Sequence, residues 1–168
     1  GSFEAVLPGT WTGVNITGDK RKCNNPANAF DGLCSLVFKG GVGEASIYKQ
    51  VVGDLSALTA GDTLYLSAAF KSNAAAPNLM VRAIVKYGPV KDKPLMKFLT
   101  TSATFIQDTE EYVLTGTPTK IVVQIKHRSA SGKVFVDVVS LTVNNLGSRG
   151  GDGILPPPSV PDAFRGSN

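Results

Sequence analysis

The sequence predicts an all-β protein, a two-sheet antiparallel sandwich of the jelly-roll kind. Three observations carry this. Short runs rich in Val, Ile, Leu and aromatic residues alternate apolar and polar side chains with a period of two. Eighteen Gly and ten Pro punctuate them at turn-like intervals. Runs of Ala, Leu, Glu and Lys at a 3.6 spacing, which would mark amphipathic helices, do not occur. Hydrophobic residues make up 42% of the 168, enough to fill a core between two sheets.

Taken in order, strands are expected near 2–7, 11–16, 34–39, 45–51, 63–71, 79–87, 95–104, 110–115, 120–126 and 133–143. The clearest alternation places Leu64, Leu66, Ala68 and Phe70 on one face, with Tyr65, Ser67 and Lys71 on the other. Leu79, Val81, Ala83 and Val85 oppose Arg82 and Lys86, and Ile121, Val123 and Ile125 oppose Gln124 and Lys126. Turn signals fall between the runs, at Pro8-Gly9, Gly40-Gly41, Ala60-Gly61-Asp62, Gly88-Pro89, Gly116-Thr117-Pro118 and Ser131-Gly132. About ten strands in one domain over 1–143 suit a jelly roll. An immunoglobulin-like sandwich fits less well, because Cys23 and Cys34 are too close in sequence for its inter-sheet bridge.

From 144 to 168 the chain has neither period. It is Gly-rich, then Pro-rich around Pro156-Pro157-Pro158 and Pro161. Ile154, Leu155 and Phe164 are expected to anchor this tail on an adjacent copy, with Asn168 near that copy's Gly1. The two chain ends, joined, read Asn-Gly-Ser-Phe-Glu, a string that resembles the opening of secreted sandwich modules occurring in tandem, so the chain is expected to be one repeat of a longer array or a subunit whose tail reaches the next head. The competing origin of Gly1-Ser2 is a tag remnant.

Net charge is +4, all of it before residue 144. The only basic cluster, Lys20-Arg21-Lys22, lacks interleaved aromatic residues, which argues against nucleic-acid binding. No apolar run of about 18 residues is present to span a membrane.

Few residues point to chemistry. Cys23 and Cys34 flank an Asn/Pro/Gly loop and lack the further ligands zinc would need, so a disulfide and an oxidising, extracellular setting are expected. His127 has no nucleophile motif beside it and is expected to be exposed at a strand end. Glu110 and Glu111 are adjacent and point to opposite faces, unsuited to paired carboxylate catalysis. The chain is therefore read as a non-enzyme. Asp137, inside the apolar run Val134-Phe135-Val136-Asp137-Val138-Val139, needs a compensating partner: a cation, a lysine or backbone donors. Tyr65 with Arg82, Lys86 and Gln124 forms a possible polar sheet face for a glycan, and Trp11 is read as structural.

Three stretches resemble family 4/9-type carbohydrate-binding modules, within the galactose-binding-like jelly rolls of bacterial secreted and cell-surface proteins. They are Gly1-Ser2-Phe3-Glu4-Ala5 with Gly9-Thr10-Trp11, Ala60-Gly61-Asp62-Thr63-Leu64-Tyr65, and Phe135-Val136-Asp137-Val138-Val139-Ser140-Leu141. The resemblance implies a structural Ca2+ held by Glu4 and Asp137, with Asp31 as a third candidate ligand. Where that family has an acid or Asn, this chain has Val138. Two functions follow as expectations. The one preferred on sequence is an extracellular structural module of a filament, stalk or surface layer, joined head-to-tail to adjacent copies of itself. The alternative is a carbohydrate-binding module of a larger secreted enzyme or adhesin, with a polysaccharide partner.

Overall fold

The computed structural model describes Phe3 and residues 11–39, 45–128 and 131–144. Eleven strands occur among them: β1 Thr12–Val14, β2 Lys20–Cys23, β3 Cys34–Lys39, β4 Ser46–Val51, β5 Thr63–Ser72, β6 Leu79–Tyr87, β7 Val90–Asp92, β8 Leu95–Phe98, β9 Ser102–Val113, β10 Lys120–His127 and β11 Lys133–Asn144. They form two antiparallel sheets. Sheet A has the order β1-β4-β10-β6-β7, with β8 also paired to β6, and sheet B the order β2-β3-β11-β5-β9.

The alternation read from sequence decides what fills the space between the sheets. Tyr48, Leu79, Val81, Ala83, Val85, Ile121, Val123 and Ile125 point inward from sheet A. Leu36, Phe38, Leu64, Leu66, Ala68, Phe70, Val134 and Val136 point inward from sheet B. Phe70 and Phe98 stack across the gap with centroids 4.2 Å apart. Each fully buried apolar side chain of this size contributes about 1.5–3 kcal/mol. Trp11 is buried against Phe3, centroids 5.6 Å apart, in keeping with a structural role.

Several strands differ from expectation. β2 and β7 are too short and too polar to show in the alternation. The strand expected over 95–104 ends at Phe98. Leu99, Thr100 and Thr101 carry the chain from sheet A to sheet B, where Ser102 begins a long strand that absorbs the one expected over 110–115. β9 is an edge strand and most of its side chains are exposed, so no burial pattern marks its length. Of the strand expected over 2–7, only Phe3 lies within the described residues. The expected tail anchors Ile154, Leu155 and Phe164 lie outside them, as does Glu4.

β11 contains a bulge. Asp137 pairs with Ala69 and Ser140 with Ser67, so three steps on β11 oppose two on β5. Val138 takes up the extra residue at φ +43°. The inward set therefore shifts from Val134 and Val136 to Val139, which is 2% exposed.

Candidate functional site

The two outer faces are built differently. On sheet B, the loop between Cys23 and Cys34 folds back over the sheet. Its ends are a directly opposed cross-strand pair of β2 and β3, joined by the expected disulfide. Asp137 holds its middle. The Asp137 Oδ2 accepts from Phe30 N at 2.8 Å and Asp31 N at 3.2 Å, and Oδ1 accepts from Val138 N at 2.8 Å. Lys71 donates to the Ala27 carbonyl and lies 4.8 Å from the Phe135 ring centroid and 5.1 Å from that of Phe105. Phe105 in turn meets Phe30, centroids 5.9 Å apart.

Asp137 is fully buried, and among the described residues its charge is met by backbone N–H groups. These occupy three of roughly four lone-pair positions on the carboxylate. Asp31 reaches Asp137 through its backbone N–H. Among the described residues no three acidic, His or Cys side chains gather where a metal ion would sit.

On sheet A no such loop is seen over the outer face among the described residues. Arg82 and Gln124 are directly opposed across β6 and β10, and the Arg82 Nε donates to the Gln124 Oε1 at 2.7 Å. The registers extend that row to Thr12–Lys49–Gln124–Arg82–Leu95, and set beside it Val14–Ile47–Lys126–Met80–Lys97. A third row opposes Lys120, Lys86 and Lys91 across β10, β6 and β7. A shallow depression lined by Asn78, Met80, Lys126 and Arg128 opens on the same face.

The structure thus brings Arg82, Lys86 and Gln124 onto one sheet face, as expected. It places Tyr65 on sheet B, opposite Glu111 and Thr142, so Tyr65 is no part of that face. Alternation assigns a side to each residue but not a sheet to each strand, which is why the four were grouped. Lys49, Lys97, Lys91 and Lys120 were missed for the same reason. Their basic side chains sit on the polar phase of short strands, and only the register makes them neighbours.

His127 corrects another expectation. It continues the inward phase of Ile121, Val123 and Ile125 and is 2% exposed, its ring 5.2 Å from that of Phe38. Burial pushes its pKa down to about 4, so the imidazole is neutral. Its Nε2 has no hydrogen-bond partner among the described residues. At one edge of the sandwich, Tyr87 and Tyr112 hydroxyls meet at 3.1 Å and Tyr112 donates to Asp92, closing β6 and β7 against β9. Burial, then the bond to Asp92, raises the Tyr112 phenol above its ordinary value.

No known protein family and no curated protein sequence matches the chain. Among solved structures, a family 16 carbohydrate-binding module is similar at TM-score 0.57 and 17% identity, over 70% of this chain and 82% of that one. A family 22 xylan-binding domain from Paenibacillus barcinonensis is similar at TM-score 0.60 and 15% identity, over 84% and 90%. A family 61 module solved with β-1,4-galactotriose is similar at TM-score 0.57 and 15% identity, over 80% and 88%. The chain therefore has the jelly-roll fold of carbohydrate-binding modules. The likeness read from sequence is borne out at this level of the fold, and families 4 and 9 are not specifically singled out.

Proposed function

We propose that this chain is a non-catalytic carbohydrate-binding module of a secreted protein and that it holds an extended glycan across the outer face of sheet A. The observation that carries the reading is the contrast between the two faces. Sheet B is covered by the disulfide loop. Among the described residues sheet A has no such cover and carries the Arg82–Gln124 pair among hydrogen-bonding and aliphatic side chains. Such a surface suits a ligand that offers hydroxyls along one edge and apolar ring faces along another. The fold likeness supports the reading, and the disulfide supports an oxidising compartment. Nothing in the fold or the similar structures supports the filament role preferred on sequence, whose anchors lie outside the described residues.

Affinity electrophoresis of the whole chain through gels containing individual soluble polysaccharides tests this. Retardation by at least one glycan, abolished in Arg82→Ala and kept in Tyr65→Ala, is expected. A chain retarded by none, or one whose binding is lost with Tyr65 and kept without Arg82, overturns the proposal.

A further inference from the structure

Sheet A segregates charge. Its strands carry Lys49, Arg82, Lys86, Lys91, Lys97, Lys120 and Lys126 against a single carboxylate, Asp92. Asp92 pairs with inward-pointing Val85 and is engaged by Tyr112 and Thr115, so it faces away from the lysines. The acidic strand residues of the described chain otherwise lie on β9 and β11 of sheet B. The outer face of sheet A therefore carries seven cations and no anion among the described residues.

Two details show a pattern in this. The registers place one cation on each successive strand in zigzag: Lys49 on β4, Lys126 on β10, Arg82 on β6 and Lys97 on β8. Strands lie about 4.8 Å apart, so the track offers one positive charge per strand step. Gln124 fixes the Arg82 guanidinium through Nε, leaving both Nη groups to present a fork. Beside the track, Lys120, Lys86 and Lys91 are directly opposed across three strands. Like charges so placed repel, and all three are exposed. A bound polyanion would relieve that repulsion. The same face also carries no aromatic side chain among the described residues, so stacking on neutral sugar rings is not its means of recognition.

We infer that the ligand of this face is a polyuronate, a polysaccharide with one carboxylate per sugar, lying across the strands along the Lys49–Lys126–Arg82–Lys97 track. The inference rests on the glycan-binding reading above and adds the charge of the ligand to it. One negative charge per residue matches one cation per strand. Aliphatic Ile47, Met80 and Leu95, alternating with the cations in the two rows, are placed to meet the carbon-rich faces of the rings.

Titration calorimetry of the whole chain against polygalacturonate, fully methyl-esterified polygalacturonate, neutral β-1,4-galactan and xylan, chondroitin sulfate and duplex DNA tests it. Polygalacturonate is expected to bind and its methyl ester, the same backbone without charge, to bind at least about tenfold more weakly. Binding should fall by a similar factor in Lys49→Gln/Lys126→Gln. It should persist in Lys20→Gln/Lys22→Gln, which removes as much charge from sheet B. Polygalacturonate should also raise the melting temperature of the parent chain and not that of Lys49→Gln/Lys126→Gln. Binding of neutral glycans without preference for the acid overturns this inference and leaves the glycan-binding reading standing. Equal binding of DNA reduces the face to a general anion attractor, and preference for chondroitin sulfate replaces uronate with sulfate; either overturns it. Binding of no glycan at all overturns both readings.

Discussion

Val138 is strained and the other residues like it are not. Among the described residues four non-Gly residues have positive φ, and three of them are Asn, which tolerates this region; the fourth is β-branched Val138. Its bulge position commonly takes Gly. Val138→Asn or Val138→Gly should raise the melting temperature, corresponding to about 1 kcal/mol, because the half-buried side chain loses little packing; a lower melting temperature in both would show that the side chain matters more than φ. His127 is held neutral with a pKa near 4, against 6.5 in the unfolded chain. Between those values the unfolded state binds more protons, so stability falls as pH falls, approaching about 1.4 kcal/mol per pH unit. Denaturant titrations at pH 7 and pH 4.5 should show this loss in the parent chain and a smaller one in His127→Phe. Asp137→Asn should lose about 2 kcal/mol, since an amide NH2 then faces donors. A calcium ion joining Glu4 to the remaining lone pair of Asp137 is a separate proposal. It requires that a chelator lower the melting temperature and that calcium restore it; an unchanged melt leaves Asp137 as a loop anchor alone.

At the scale of elements, the loop between β2 and β3 is tied at its ends by a disulfide and in its middle by Asp137. Breaking the disulfide in Cys23→Ser/Cys34→Ser should cost about 3 kcal/mol by loop-closure entropy. Adding Asp137→Asn should then cost less than it does alone, because the loop it anchors is already loosened; strict additivity would show the two ties to be independent. Gly132, at the turn into β11, has φ +89°, and an added Cβ would lie 2.5 Å from the Ala74 Cα, so Gly132→Ala should be among the most damaging single changes. How far these elements were legible follows from burial. β5, β6 and β10 bury one face each, so alternation marked them to within a residue or two. β9 buries little and β2 is four residues long, and neither leaves a period to read. The bulge at Val138 was hidden because both Val138 and Val139 fit an apolar run. Half of the candidate glycan face was legible as residue types, but assembling it required knowing that β4, β10, β6 and β8 are neighbours.

At the scale of the whole molecule, charge and topology are each unevenly distributed. Salt should raise the melting temperature of the parent chain by screening sheet A, and raise it less in Lys86→Gln/Lys91→Gln; identical salt responses would mean that the lysine row carries no net strain. Topology places the last two strands at the centres. β10 lies between β4 and β6, and β11 between β3 and β5. A chain ending at Gly132 should therefore fail to fold, whereas one ending at Asn144 keeps every described strand.

That arrangement also sets an order on biosynthesis. While the ribosome is still adding residues before 120, both sheets lack a central strand: sheet A consists of β1–β4 and of β6 with β7 and β8, and sheet B of β2–β3 and β5–β9, with nothing yet to join the halves. The halves of each sheet therefore stay unjoined until most of the chain has been made. The β6–β7 turn closes over a short stretch, and so does the Cys23–Cys34 hairpin. A covalent bond made there early would survive to meet β11 as the last strand arrives, with Asp137 seating the loop in the final step.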